Sequence, residues 1–192
     1  MGFETYQKIM QEALEELKDE EFEGMDMNDE DRNKLFKNTK EINIDTDLEL
    51  MLPDDYVTSI EERLSLYQKL AEIANREDLQ KFEKELEDRF GTLPKEAVNL
   101  LKSVALKWLA ADIGFEKIVM KNGVFLGYFP QNPQDKFYQS EKFRHILNYL
   151  TQNPNEAQLK EKMSKDGNLL MMRKENVRNV DEVNLVLGRI LG

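Results

Sequence analysis

The spacing of apolar residues changes repeatedly along this chain, and each change predicts an element. In residues 3–22, Phe3, Tyr6, Ile9 or Met10, Ala13 and Leu17 recur at intervals of three and four, and Gly24 follows; this is the period of a helix with a narrow apolar stripe. The stretch EFEGMDMNDEDRNKLFKNTKE is then acidic and poor in large apolar residues, the composition of a linker over residues 19–41. In INIDTDLELMLP, residues Ile42, Ile44, Leu48, Leu50 and Leu52 share one parity, the pattern of a half-buried strand ended by Pro53. Asp54 and Asp55 suit a helix start, where a carboxylate accepts free N–H groups. The buried stripe of that helix is predicted to be Ile60, Leu64, Tyr67, Ala71 and Ala74.

A second helix carries Leu79, Phe82, Leu86 and Phe90 at helical spacing, with Gly91 placed to end it and Pro94 suited to the first position of the next. That next helix, predicted to run to about Asp112, is apolar enough at Ala97, Leu101, Val104, Trp108 and Ala111 to be a central one, with Trp108 in the core. The period then shortens. FEKIVMKNGVFLGYFP reads as two strands around Asn122-Gly123, a pair that accepts the positive φ angles of a type I′ turn. A helix over KFRHILNYL, a second hairpin around Asp166-Gly167 and a closing helix over VDEVNLVLGRIL follow. Helices outnumber strands and the strands arrive as hairpins, so the predicted class is α+β, helix-rich, with a small antiparallel sheet. The predicted boundary falls near residue 40, separating a region 1–40 from a domain 41–192.

Composition narrows the chemistry. The 192 residues contain no cysteine, which excludes disulfides, thiol nucleophiles and Cys-ligated metals. No apolar run approaches the roughly 18 residues of a membrane span, and the acidic N-terminal stretch is unlike a signal peptide, so a soluble, cytoplasmic protein is expected. Residues 1–62 hold 20 acids against 6 bases, and the remainder 18 against 21. A phosphate backbone would be repelled by the first third and drawn only weakly to the rest. Direct nucleic-acid binding would need a contiguous basic face from Lys136, Lys142, Arg144, Lys160 and Lys162.

The chain has no Walker A loop, no dinucleotide-binding glycine fingerprint and no nucleophile elbow. Its one histidine, His145, suits a helix surface or a partly buried position. Catalysis would therefore fall to carboxylate pairs: Glu85 with Asp88, Asp54 with Asp55, or Asp45 with Asp47. DTDLE lacks the glycine and terminal glutamate of a calcium loop, and no cofactor is expected. Taking 100° per residue, Glu85 and Asp88 lie together on the flank of the stripe formed by Leu79, Phe82, Leu86 and Phe90. Two uses fit that position: solvated i,i+4 pairs, Lys81 with Glu85 and Lys84 with Asp88, or a salt-bridged docking surface.

Three segments carry a family resemblance: GFETYQKIMQEALEEL, IDTDLELMLPDDYVTSIEERLSLYQKLA and ELEDRFGTLPKEAVNLL, in that order. Together they resemble the C-terminal end of the bacterial transcription-repair coupling factors, the Mfd family. The resemblance is close from residue 2 to about 114, and beyond that only the order of elements is similar. It implies a parent chain that is an ATP-driven translocase on double-stranded DNA, displaces stalled RNA polymerase and recruits UvrA for nucleotide excision repair. It also implies that residues 2 to about 22 are the helix leaving the motor, whose P-loop lies upstream. Residues 41–192 become a non-catalytic regulatory domain that packs on the UvrA-binding module of the same polypeptide and masks it. The family motif E-L-x-D-R-F falls on residues 85–90, which makes Glu85 and Asp88 the expected docking contact. Arg89, Phe90, Gly91 and Pro94 are expected to shape the turn between helices. A free-standing protein-binding adaptor and a small carboxylate-dependent hydrolase remain the alternative readings.

Overall fold

The computed structural model describes residues 42–164 and 167–192. The expected helix at 3–22 and the acidic linker lie outside the described residues, as does Asp166 of the second turn. In chain order the elements are β1 (Asn43–Thr46), α1 (Ile60–Glu72), α2 (Arg76–Phe90), α3 (Lys95–Ile113), β2 (Lys117–Lys121) and β3 (Val124–Tyr128). A short 3-10 turn (Lys136–Gln139) leads to α4 (Glu141–Gln152), β4 (Gln158–Ser164), β5 (Gly167–Lys174) and α5 (Val180–Leu191). The chain forms two compact units, one of residues 42–49 together with Lys102–Gly192 and one of Leu50–Leu101.

The first unit is built on a five-stranded sheet of order β1-β2-β3-β5-β4. The α+β class holds, with both predicted hairpins present. Asn122 (φ 53°) and Gly123 (φ 72°) turn the first, aligning Lys117 with Tyr128 and Lys121 with Val124. The second aligns Gln158 with Arg173 and Ser164 with Gly167, and β3 joins the hairpins through antiparallel pairing of Phe125 with Lys174 and Tyr128 with Met171. The sheet is nevertheless mixed, because β1 pairs in parallel with β2, Asn43 opposite Lys117 and Thr46 opposite Met120. A hairpin pattern is silent about such a strand, whose partner lies far along the chain.

β1 is also shorter than its alternation predicts. Bends follow Thr46, whose Oγ1 accepts the Leu48 N–H at 3.1 Å, while the Asp47 carboxylate accepts the Asn122 N–H at 2.8 Å. Such side-chain bonds offer the backbone an alternative to the ladder. The core of this unit gathers one face of the sheet (Ile44, Ile118, Phe125, Met172) against Leu106 and Ile113 of α3, Ile146 of α4 and Leu187 and Ile190 of α5. Gly127 is required there: a Cβ would stand 2.4 Å from the Phe115 ring.

In the second unit, Pro53 starts a turn rather than a helix, its carbonyl accepting the N–H groups of Tyr56 (3.1 Å) and Val57 (3.0 Å). Helix α1 begins later, capped by Ser59, whose Oγ accepts the Glu62 N–H at 3.3 Å. The expected start at Asp54 and Asp55 is thereby corrected: Asp54 pairs with Arg63 at 2.5 Å and Asp55 is exposed. The buried stripe is also rotated. Leu66, Tyr67 and Leu70 are buried, whereas Ala71 is exposed and Ala74 lies beyond the helix, also exposed. Burial follows area, and the large side chains outweigh two alanines. Tyr67 closes the turn by accepting the Leu52 N–H at 2.7 Å.

Helix α2 follows its prediction, burying Leu79, Phe82 and Leu86. Asn75 caps it, accepting the Asp78 N–H at 2.9 Å, and Gly91 ends it with φ 87° and ψ −163°. Pro94 accepts the Val98 N–H at 3.0 Å, so it occupies the cap, one residue ahead of the expected first helical position. Helix α3 runs through both units. Its Trp108, expected in the core, is only half-buried, and Leu106 and Ala110 are fully buried instead.

Candidate functional site

The acids of α2 were singled out by position, and the structure gives them unequal surroundings. Glu85 leans toward α1: one carboxylate oxygen accepts a short hydrogen bond from Lys69, the other a longer one from Arg89 at 3.4 Å. Arg89 in turn reaches across to Glu62 of α1 with its second terminal nitrogen and lies 4.9 Å from the Phe90 ring centroid. The Lys69 ammonium stands 5.9 Å from the Phe82 ring centroid. Glu62, Arg89, Glu85 and Lys69 thus form a continuous ion-pair chain between α1 and α2. The Lys69 hydrogen bond holds the Glu85 carboxyl below its ordinary range, against the smaller opposing effect of burial.

Asp88 differs. It is exposed, one turn beyond Glu85 on the same flank, and makes no ion pair among the described residues. The expected i,i+4 pairs are not formed. Lys81 turns back to Asp78 at 2.8 Å, because Glu85 is already engaged by α1, and Lys84 stays exposed. The remaining motif residues shape the end of the helix. Phe90 packs on Tyr56 with ring centroids 5.7 Å apart. The Tyr56 hydroxyl donates toward the carbonyls of Leu86 (3.1 Å) and Gly91 (3.0 Å).

The other candidate carboxylates are occupied structurally. Asp45 pairs with Lys121 at 2.5 Å, and that hydrogen bond lowers its pKa. Asp47 holds the hairpin turn and Asp54 holds Arg63. Among the described residues no group of three or more His, Asp or Glu is arranged to hold a metal ion, and no helix is long and apolar enough to cross a membrane. An open cleft of about 450 Å³ is lined by Ser59, Glu61, Glu62, Ser65, Leu66 and Arg89. Its one described ion pair joins Arg89 to Glu62, and it holds no nucleophile and base in contact.

The basic face is divided. Leu159 packs toward the core of the sheet unit, so Lys160 and Lys162 point from the opposite face of β4. Lys142 and Arg144 belong to α4, which packs on the core side through Ile146 and Leu150. His145 is exposed on α4. Met172 is fully buried in the sheet core and Met171 nearly so, as strand residues. What local spacing missed is the contribution of Glu62 and Lys69. They lie 27 and 16 residues from their partners, and their only trace in the sequence is their seven-residue separation, which puts both on one face of α1.

Comparison with known proteins places this geometry in a family. The family model described as the TRCF domain matches residues 46–140, a span that includes both helices of the ion-pair chain and the D-R-F-G-T-L-P stretch. The chain belongs to the TRCF family. The transcription-repair-coupling factor of Rickettsia prowazekii is 26% identical over all 192 residues, which amount to 15% of that relative's length. The Escherichia coli factor is 29% identical over 118 residues, covering 62% of this chain and 10% of its own. A crystal structure of the C-terminal domain of transcription-repair coupling factor superposes with a TM-score of 0.58 at 19% identity, covering 80% of this chain and 94% of the other. That likeness establishes the fold. The chain thus corresponds to the TRCF region of much longer relatives, and its candidate site is a charged helix flank with no catalytic companion among the described residues.

Proposed function

We propose that this chain is a non-catalytic docking domain of a transcription-repair coupling factor, which binds and masks the UvrA-binding module of the same polypeptide through Glu85 and Asp88. Residues 1–40 connect it to an ATP-dependent DNA-translocating motor, and residues 41–192 form the regulatory domain. Its parent displaces stalled RNA polymerase and recruits UvrA in the bacterial cytoplasm. The observation that carries this reading is the state of the two acids: one carboxylate fixed and held ionised by flanking cations, the other exposed beside it. A fixed negative charge with an exposed one beside it suits recognition of a basic surface. A general acid needs the opposite, a carboxyl pushed upward by burial or a like charge.

The test is a low-salt titration of this chain against the purified UvrA-binding module of its parent, beside Asp88→Lys and the double variant Glu85→Lys/Asp88→Lys. Binding that weakens with salt and is lost in both variants supports the docking role. Equal binding by wild type and Asp88→Lys refutes it.

A further inference from the structure

The docking carboxylate is already occupied. Both oxygens of Glu85 accept cations of its own unit, Lys69 on one and Arg89 on the other, so a guanidinium or ammonium from a partner must displace one of them or share the charge. The two are held differently. Arg89 is bracketed from both sides, by Glu62 and Glu85, and lies against the Phe90 ring. Lys69 is 52% exposed, has Glu85 as its one ion-pair partner among the described residues, and rests on a flexible stem.

Resting on the docking role proposed above, we infer that Lys69 is an intramolecular competitor for Glu85, an exchangeable guard that a partner cation must dislodge, and thereby sets the affinity and cation preference of the docking face. Arg89 is the fixed bracket that keeps the carboxylate oriented while the guard leaves. An exposed pair of this kind is worth between nothing and about 1 kcal/mol, so losing the guard strengthens docking by up to about fivefold. A partner arginine is the favoured displacer, because its planar fork can engage Glu85 and Asp88 from one side chain where an ammonium presents a point charge.

The test measures affinity for the UvrA-binding module with Lys69→Met, which keeps the apolar stem beside Phe82, and with Lys69→Arg, which restores the guard. Lys84→Met controls for the change in net charge, since Lys84 is exposed on α2, next to Glu85 in sequence, and ion-pairs with no described residue. Lys69→Met is expected to bind two- to fivefold more tightly, Lys69→Arg no more tightly than wild type, and Lys84→Met less tightly than Lys69→Met. In a Glu85→Gln background the Lys69→Met gain disappears. If wild type binds and Lys69→Met binds equally or more weakly, the guard is refuted while docking stands. If the gain equals that of Lys84→Met, Lys69 acts only through net charge and the guard is again refuted. Absence of binding by wild type and every variant refutes docking itself, and the guard with it.

Discussion

Replacing Gly91 by alanine isolates what the backbone at the end of α2 costs. With φ 87° and ψ −163° the residue sits in a region open almost only to glycine, where another residue bears about 1–3 kcal/mol of strain. A Cβ added there meets nothing within 4 Å, so no steric clash adds to this figure. Alanine also stiffens the unfolded chain, which returns about 0.4–1 kcal/mol. The net expectation is a loss of about 1–2 kcal/mol, or roughly 2–8 °C in melting temperature for a chain of this size. Gly188, inside α5, supplies the control. Its Cβ would also meet nothing within 4 Å, but its helical backbone suits alanine, so Gly188→Ala should stabilise by up to about 1 kcal/mol. Urea unfolding followed by far-ultraviolet circular dichroism measures both variants. If Gly91→Ala unfolds at the wild-type midpoint or above it, the strain argument fails.

Two further predictions concern Tyr67 of α1 and Glu85 of α2. Tyr67→Phe removes the acceptor of the buried Leu52 N–H and should cost about 1–3 kcal/mol, with faster hydrogen exchange at Leu52; wild-type exchange there would show that the amide has another partner. The second concerns pH. Glu85 has a folded pKa below its unfolded one, so its contribution is fully present above about pH 4.3, the ordinary glutamate value, and is lost as pH falls through the folded pKa. The pair is partly exposed, so this contribution is no more than about 1 kcal/mol. Stability measured from pH 6 to pH 3 should fall less steeply in Glu85→Gln than in wild type, and identical slopes would exclude the effect.

Much of the fold is written locally. Asn122-Gly123 announces its hairpin because the turn demands positive φ, and the α2 stripe is legible because Leu79, Phe82 and Leu86 recur at the helical period and are buried. Local pattern fails where partners are distant. Nothing near Ile44 states that β1 will align with Ile118, and the alternation from Leu48 to Leu52 looks like strand although side-chain hydrogen bonds have already bent the chain. The site divides in the same way. The flank position of Glu85 and Asp88 follows from helix geometry alone, and Arg89 lies four residues from Glu85, but Lys69, which holds the other Glu85 oxygen, comes from α1, out of reach of any short window. Trp108 errs for another reason: the core of the sheet unit takes Leu106, Leu109, Ala110 and Ile113 from α3, and size alone does not decide which side chains it covers.

The parallel pairing of β1 with β2 makes the 50–101 unit an insertion between an edge strand of the sheet and the strand beside it. During synthesis β1 emerges first and must wait for Lys117 to follow before its ladder can form. The insert can collapse during that interval, since its own buried residues are contiguous in sequence, while the sheet pays a loop-closure cost that grows only slowly with the length of the insert. Any truncation placed between the two units at residue 50 would therefore remove an edge strand from the sheet. It would leave the Lys117–Lys121 backbone with unpaired polar groups and a new site for association with other chains.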